Sequence, residues 1–369
     1  MADLPPSADL SSARFIGILG DTHGDLGHLL IVAETMWKRG VSVLLTLGDF
    51  GFVWRSKNWT RTLDRISDRL RKREQVLYFV DGNHEDFAAL YGFDIADDGL
   101  RRVRHNIVHI PRGYRTRLNS RETLAALGGA NSIDRNHRRE GHSWWPEESI
   151  TDEDLEALGH VRADVLVGHD APLFVPALDA VLAENRPLWR QDMLTYAEAG
   201  RRQFHRGFLQ VRPSLYLGGH YHVDIDETVR YGDGEESFET RVMILSDGGA
   251  GELGQGILNV HTRDVRLFRR NDATVTELIG MEDGQWRVET TECSYVFDLE
   301  KGTVTGSRDD EAASNFIDRV RRLGDIEACR VGEPGAWTVR GGGYLHPVER
   351  LQRSSEVRSI ERISEGESR

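Results

Sequence analysis

Residues 18–25, ILGDTHGD, set a carboxylate at Asp21 and an imidazole at His23 directly after an apolar run. The two alternate with Gly20, Thr22 and Gly24, so both side chains can enter one pocket. Oxygen and imidazole nitrogen are the ligands that borderline divalent metals take from proteins, so the pair suits a metal site. The design recurs with Asp49 in GDFG, Asn83 and His84 in GNHE, His169 in GHD, and His220 and His222 in GGHYH. Taken singly, each reads as a hydrogen-bonded loop residue. Five strand-to-turn sites that all end in Asp, Asn or His are hard to produce by coincidence.

Positioning them requires short buried strands. Residues 15–19, 41–47, 76–80, 163–167 and 214–217 are β-branched and leucine-rich runs, too short for typical helices. Between them lie helical patterns. Leu29, Ala33 and Met36 share one face before Gly40, and Leu63, Ile66 and Leu70 form the inner face of residues 58–74. Arg61, Arg65, Arg69 and Arg73 lie outside on that second helix, paired at helical spacing with Asp64 and Asp68. Strands alternating with helices predict an α/β fold with crossover connections, and ligands collect at the carboxyl ends of such strands.

Further on, residues 106–110 and 123–130 read as strands, and residues 131–148 as a polar loop carrying Trp144 and Trp145. A helix is expected over 187–209, then a hairpin turning at Gly232-Asp233-Gly234 and one or two more strands. The first domain is placed at residues 14–270. Residues 271–369 are expected to be a small α+β module of unknown role: a hairpin near Lys301-Gly302, a helix over 312–323, a loop at 341–347 and a tail, 354–369, frayed at its end. Residues 1–13, rich in Pro, Ser and Asp, read as a disordered tail without a secretory signal.

Bulk composition narrows the class. The chain has 369 residues, enough for two domains, and 39% apolar content supports a sizeable core. No run reaches the roughly 18 apolar residues that span a bilayer, so a membrane role is not expected. The net charge of −13 argues against broad attraction to nucleic acid or anionic lipid. Two isolated cysteines, Cys293 and Cys329, fit buried thiols and a cytoplasmic, reducing compartment. Lys occurs only at positions 38, 57, 72 and 301, so an arginine in this chain carries little information by itself.

The motif series GDTHGD, GDFG, GNHE, GHD and GGHYH resembles the five-motif signature of the calcineurin-like metallophosphoesterases, in that family's order. The resemblance implies a four-layer α/β/β/α sandwich and two divalent metal ions, Mn, Fe or Zn. It implies that Asp21, His23 and His222 hold one ion and Asn83, His169 and His220 the other, with Asp49 bridging. Two cations about 3.5–4 Å apart need a shared anionic ligand, which a carboxylate supplies. The implied reaction is hydrolysis of a phosphomonoester or phosphodiester by a metal-bound hydroxide. In it His84 stabilises the transition state and protonates the leaving oxygen.

The substrate would be a phosphorylated small molecule, a nucleotide or an oligonucleotide. Where protein Ser/Thr phosphatases carry GDxxDRG, this chain has Phe52 and Val53 in place of the second Asp and the Arg. A phosphate clamp must then come from elsewhere, with Arg135 the first candidate and Arg112 and Arg55 the others. Two alternatives remain on the same fold: a nuclease or cyclic-nucleotide phosphodiesterase, and a non-catalytic binding scaffold.

Overall fold

The computed structural model describes residues 9–247, 254–268, 275–282, 284–307, 320–341 and 348–363. The chain divides into two compact units, one of residues 1–30 and 42–267, the other of residues 31–41 and 268–369.

The first unit opens with β1 (Phe15–Leu19), the start of α1 (Leu26–Lys38, assigned from residue 31 on to the second unit), β2 (Val43–Thr46), α2 (Trp59–Arg71), β3 (Val76–Phe79) and α3 (Phe87–Leu90). It continues through β4 (Arg101–Arg104), β5 (Ile107–His109), β6 (Arg115–Arg117), β7 (Thr123–Leu127), α4 (Asp152–Leu158) and β8 (Val165–Gly168). Then come α5 (Pro176–Asn185), α6 (Gln191–Val211), β9 (Leu215–Gly218), β10 (Ile225–Tyr231), β11 (Phe238–Ile244), β12 (Gln255–Asn259) and β13 (Val265–Leu267).

These strands form two mixed sheets. The first has the order β13-β12-β1-β2-β3-β5-β4 and the second β10-β11-β9-β8-β7-β6. Within them β1, β2, β3 and β5 run parallel, as do β7, β8, β9 and β11. Every residue of β1, β2 and β3 is buried. Continuous apolar runs are what a parallel strand covered on both faces requires.

Between the sheets, Ile16, Ile18, Val43, Leu45, Val76 and Tyr78 of the first share one core with Leu124, Ala126, Val165, Val167, Leu215 and Leu217 of the second. On its other face the second sheet packs Leu166, Tyr216 and Val242 against Leu155 and Leu158 of α4 and Phe204 and Phe208 of α6. Helix α2 buries Leu63, Ile66 and Leu70 and leaves its arginines out, with Arg71 paired to Asp68 at 2.7 Å. A capping box at Thr151 and Asp154 starts α4.

Three local readings differ from expectation. The helical region is two helices, because 3-10 turn residues Arg186–Leu188 and an extended Arg190 separate α5 from α6. Helix α5 has a weak apolar stripe, with Leu178 its one fully buried side chain, so periodicity does not reveal it. Residues 9–13 of the expected tail form a turn in which Leu10 is buried, its N–H donating to the Tyr78 hydroxyl at 3.4 Å. Residues 1–8 lie outside the described residues.

The second unit corrects the expected α+β module: its six strands close into a barrel. These are β14 (Gln285–Thr290), β15 (Ser294–Asp298), β16 (Thr303–Ser307), β17 (Arg321–Ala328), β18 (Pro334–Gly341) and β19 (Val348–Arg362). Each pairs antiparallel with the next, and β14 pairs with β19 to close the ring. Trp286, Val288, Phe297, Trp337 and Ile360 fill the interior.

The hairpin read at residues 285–305 is present as β14, β15 and β16. Leu323, expected in a helix, lies in β17, while residues 312–319 of that expected helix lie outside the described residues. Residues 342–347 of the expected loop also lie outside them. Of the tail 354–369, residues 354–362 belong to β19, whose pairing with both β14 and β18 satisfies its backbone, and the end expected to fray, residues 364–369, lies outside the described residues. Both cysteines are free thiols, and Cys329 is buried in the barrel core. Within this unit Arg39 and Glu282 form a buried ion pair, and the Glu282 carboxylate also accepts N–H bonds from Ile279, Gly280 and Met281.

Candidate metal centre

Parallel strands bring their carboxyl ends to one edge, and the loops leaving those ends carry every candidate ligand. Asp21 and His23 follow β1, Asp49 follows β2, and Asn83 and His84 follow β3. From the second sheet, His169 follows β8, and His220 and His222 follow β9. The glycines of the motifs serve close approach. A Cβ at Gly82 would fall on the Asp49 carboxylate, and one at Gly219 on the Asp21 carboxylate. The backbone is bent to the same end: His23, Asp49, His220 and His222 all have positive φ, between 43° and 72°. Such conformations cost energy for residues with a Cβ and concentrate at functional sites.

The side chains converge. His222 Nε2 lies 3.0 Å from His23 Nε2 and 3.2 Å from Asp21 Oδ2, so two imidazoles and a carboxylate face one point. His169 Nε2 lies 3.3 Å from Asp49 Oδ1 and 3.1 Å from Asn83 Oδ1. His169 Nδ1 meets the Leu47 carbonyl at 2.9 Å, which fixes that nitrogen as the donor and leaves Nε2 free to ligate. Three overlapping groups have the spacing to hold a cation: Asp21, His23 and His222; His23, Asp49 and His84; and Asp21, Asp49 and His169. A sulfur-free set of N and O donors around two buried carboxylates fits Mn, Fe or Zn.

His84 and His220 sit differently from the others. The His84 N–H donates to Asp49 Oδ1 at 2.7 Å, and its ring stands edge-on to His23 at 4.8 Å. The His220 N–H donates to both Asp21 oxygens at 3.1 Å, while its ring packs edge-on against His169 at 4.9 Å. One half of the cluster is open and the other closed: His23 and His222 are exposed, whereas His169 and Asn83 are buried.

Electrostatics follow from that burial. Desolvation alone would raise the Asp49 carboxyl, yet the charges of His169 and His84 hold it well below the usual carboxylate range. Burial likewise opposes charge on His169, but the Asp49 and Asp21 carboxylates lift its pKa to about 10. His220 is pushed well below its ordinary value by burial and by the charge on His169. Burial lowers His84 as well, against the pull of Asp49.

The arginines chosen from sequence occupy other places. Arg112 is buried, with two bonds to Asp81 at 2.7 and 2.9 Å and others to the carbonyls of Glu147 and Ser149. It ties the end of β3 to the end of the 131–148 loop. Arg55 is half-exposed and paired with Asp86, which caps α3. The Arg135 guanidinium is sandwiched by Trp144 at 4.3 Å and Tyr196 at 4.6 Å. The arginine that does face the cluster is Arg138, whose Nη2 lies 2.7 Å from His84 Nε2 while its Nε meets Asp134 at 2.8 Å. With Arg135, Arg138 and Arg139 in one short segment, nothing in the sequence singles it out.

Three supporting residues carry no local signal in the sequence: Ser132, Glu148 and Asp247. Ser132 Oγ accepts from Asn83 Nδ2 at 3.1 Å and donates to buried Glu148 at 2.6 Å, so Glu148 orients Asn83 through Ser132. Asp247 approaches His222 Nδ1 at 3.6 Å. Trp144 and Trp145 are both buried, so they pin the 131–148 loop while its Ile133, Asp134 and Arg138 line a cavity beside the cluster.

No family model and no curated protein matches the chain. Among solved structures, an archaeal phosphodiesterase aligns over 69% of this chain and 99% of its own, at 13% identity and a TM-score of 0.33. The Thermus thermophilus sulfate thiohydrolase SoxB in complex with glycerol aligns over 74% of this chain and 56% of its own, at 15% identity and a TM-score of 0.34. Among the described residues, no helix is long and apolar enough to cross a membrane.

Proposed function

We propose that residues 14–270 form a dinuclear-metal phosphoesterase on a four-layer α/β/β/α frame. Asp21, His23 and His222 hold one ion and Asn83, His169 and His220 the other, with Asp49 between them. The observation that carries this reading is convergence. Five strand ends from two sheets deliver carboxylates, an amide and imidazoles to one cluster whose members lie 3.0–3.8 Å apart. When bound, the two ions supply positive charge against the phosphoryl oxygens and acidify the attacking water.

The chain's own groups do the rest. Arg138 holds a phosphoryl oxygen, drawn from its 2.7 Å contact with His84 toward the stronger anionic partner. His84, held by its N–H bond to Asp49, presents its ring to the ester oxygen. Water oxygen forms a new bond to phosphorus as the bond to the ester oxygen breaks. With Arg138 drawn away, His84 Nε2 takes up a proton from solvent and passes it to the departing alcohol, while the water proton passes to solvent. Glu148 and Ser132 keep the Asn83 amide turned so that its oxygen faces the cluster.

Within this reading the diester branch has a specific support. Two cavities meet at His84, one of about 420 Å³ beside Trp54 and Trp59 and one of about 820 Å³ beside α5 and α6. A phosphorus with two ester substituents can use both; a monoester can use one. The test is elemental analysis of the purified chain with turnover of p-nitrophenyl phosphate and bis-p-nitrophenyl phosphate in Mn²⁺. Bound metal and metal-dependent turnover, faster on the diester, are expected. Neither bound metal nor turnover with any of Mn²⁺, Fe²⁺ or Zn²⁺ would sink the reading.

A further inference from the structure

The larger cavity has two kinds of lining. It is lined by Asp49, Asn83, His84, Arg138, His220 and His222. It is also lined by Leu173, Leu182, Leu188, Trp189, Leu194 and Ala197, from the loop before α5, from α5 and α6, and from the turn between them. Of the charged groups there, Arg186 pairs with Glu198 at 2.6 Å and Arg201 with Asp179 at 2.8 Å, while Arg202 lies 3.9 Å from the same Glu198. Much of the remaining lining is apolar. Leu188 is 77% and Trp189 38% exposed, adjacent on the turn before α6.

Resting on the phosphoesterase reading, we propose that the substrate is an amphiphilic phosphoester whose extended aliphatic arm lies along these apolar side chains. Continuity selects the occupant. One cavity is lined both by these apolar side chains and by His84 and Arg138, so a single molecule filling it can join an apolar body to whatever those two residues hold. A group at that junction has an anionic head and an apolar body. Leucine walls with a single indole suit a flexible alkyl chain, and about 820 Å³ is ample for one.

The test uses the full chain loaded with Mn²⁺ and monoalkyl phosphates from methyl to octyl, followed by calorimetry. The dissociation constant should fall about two- to fourfold for each added methylene, as burial of alkyl surface requires. In Leu188→Asp, a change at an exposed position, the octyl-to-methyl affinity ratio should fall at least tenfold. Turnover of p-nitrophenyl alkyl phosphates is measured in parallel. Length-dependent binding with turnover supports both readings.

Flat affinity with turnover overturns the aliphatic arm and leaves the phosphoesterase intact. Length-dependent binding without turnover keeps the amphiphile site and removes the phosphoesterase. An undiminished octyl preference in Leu188→Asp places the chain elsewhere and overturns the proposal. So does a dimer that dissociates in Leu188→Asp, or retention on neutral phosphatidylcholine vesicles, since either shows another cover for Leu188 and Trp189.

Discussion

Both units of this chain are built largely of strands, and they differ in where those strands end. In the paired sheets β1, β2 and β3 are parallel, as are β7, β8 and β9, so each set finishes on one edge. In the barrel every strand runs against its neighbours, so successive turns alternate between two rims. Polar residues in turns therefore accumulate at one place in the first unit and are divided in the second. The interiors follow suit. Asp21, Asp49, Asp81, Glu85, Glu148 and His169 are all buried in the first unit. The barrel core is Trp, Phe, Val and Ile, with Arg39 and Glu282 as a closed pair in the same unit. Burying a charge without a partner is expensive, so a unit that keeps several has geometry that rewards them.

The contrast can be broken most directly at Asp49. Asp49→Asn should lower metal-dependent turnover by about four orders of magnitude, near 5.5 kcal/mol, while leaving the thermal unfolding midpoint almost unchanged. Turnover near wild type would mean that the cluster is a structural ion network like any other. In the barrel the pattern should invert. Trp337→Ala, which empties a fully buried position between Tyr295 and Phe297, should cost about 3–5 kcal/mol of that unit's stability in denaturant titrations. Turnover per folded molecule should stay within about twofold.

Glu282→Ala tests the buried Arg39–Glu282 pair of the barrel unit. It strands a buried guanidinium and should cost about 3 kcal/mol, read from the same titration. Smaller still is the effect expected for Ser132→Ala, which cuts the link from Glu148 to Asn83. Metal affinity by competition with a chelator should weaken about tenfold, with the melting curve little moved. Unchanged affinity would show that Asn83 needs no such support.

His205 sharpens the comparison from the other side, since it is an imidazole of the first unit remote from the cluster. Burial among Phe174, Phe208 and Tyr231, with the Arg201 charge adding to it, lowers its pKa to about 4. Between about 6.5 and about 4 the unfolded chain binds a proton that the folded chain refuses, so stability falls with pH across that window. His205→Gln should remove a modest part of that acid sensitivity. An identical pH–stability curve in the variant would assign the sensitivity to other groups.

Much of the candidate site was legible because its signals are local. A buried parallel strand must be a short apolar run, and its end must be a Gly turn followed by whatever reaches the pocket. Both are visible within ten residues. Arg138 was not legible, because its distinction from Arg135 and Arg139 lies in a 2.7 Å contact with a residue 54 positions away. The barrel was misread for a related reason. Strands β17 and β19 are charged, bulged and partly exposed, so they lack clean alternation, and Leu323 of β17 falls at helical spacing from Phe316 and Val320.

The sequence by itself determined the candidate ligand types, their order and the strands that present them, since each depends on residues adjacent in the chain. Tertiary structure alone decided that Arg138 faces His84, that Glu148 steers Asn83, and that α5 and α6 wall an apolar cavity beside the cluster. Those facts depend on how separate elements pack, and packing energy is set by pairs of surfaces that the sequence does not place side by side.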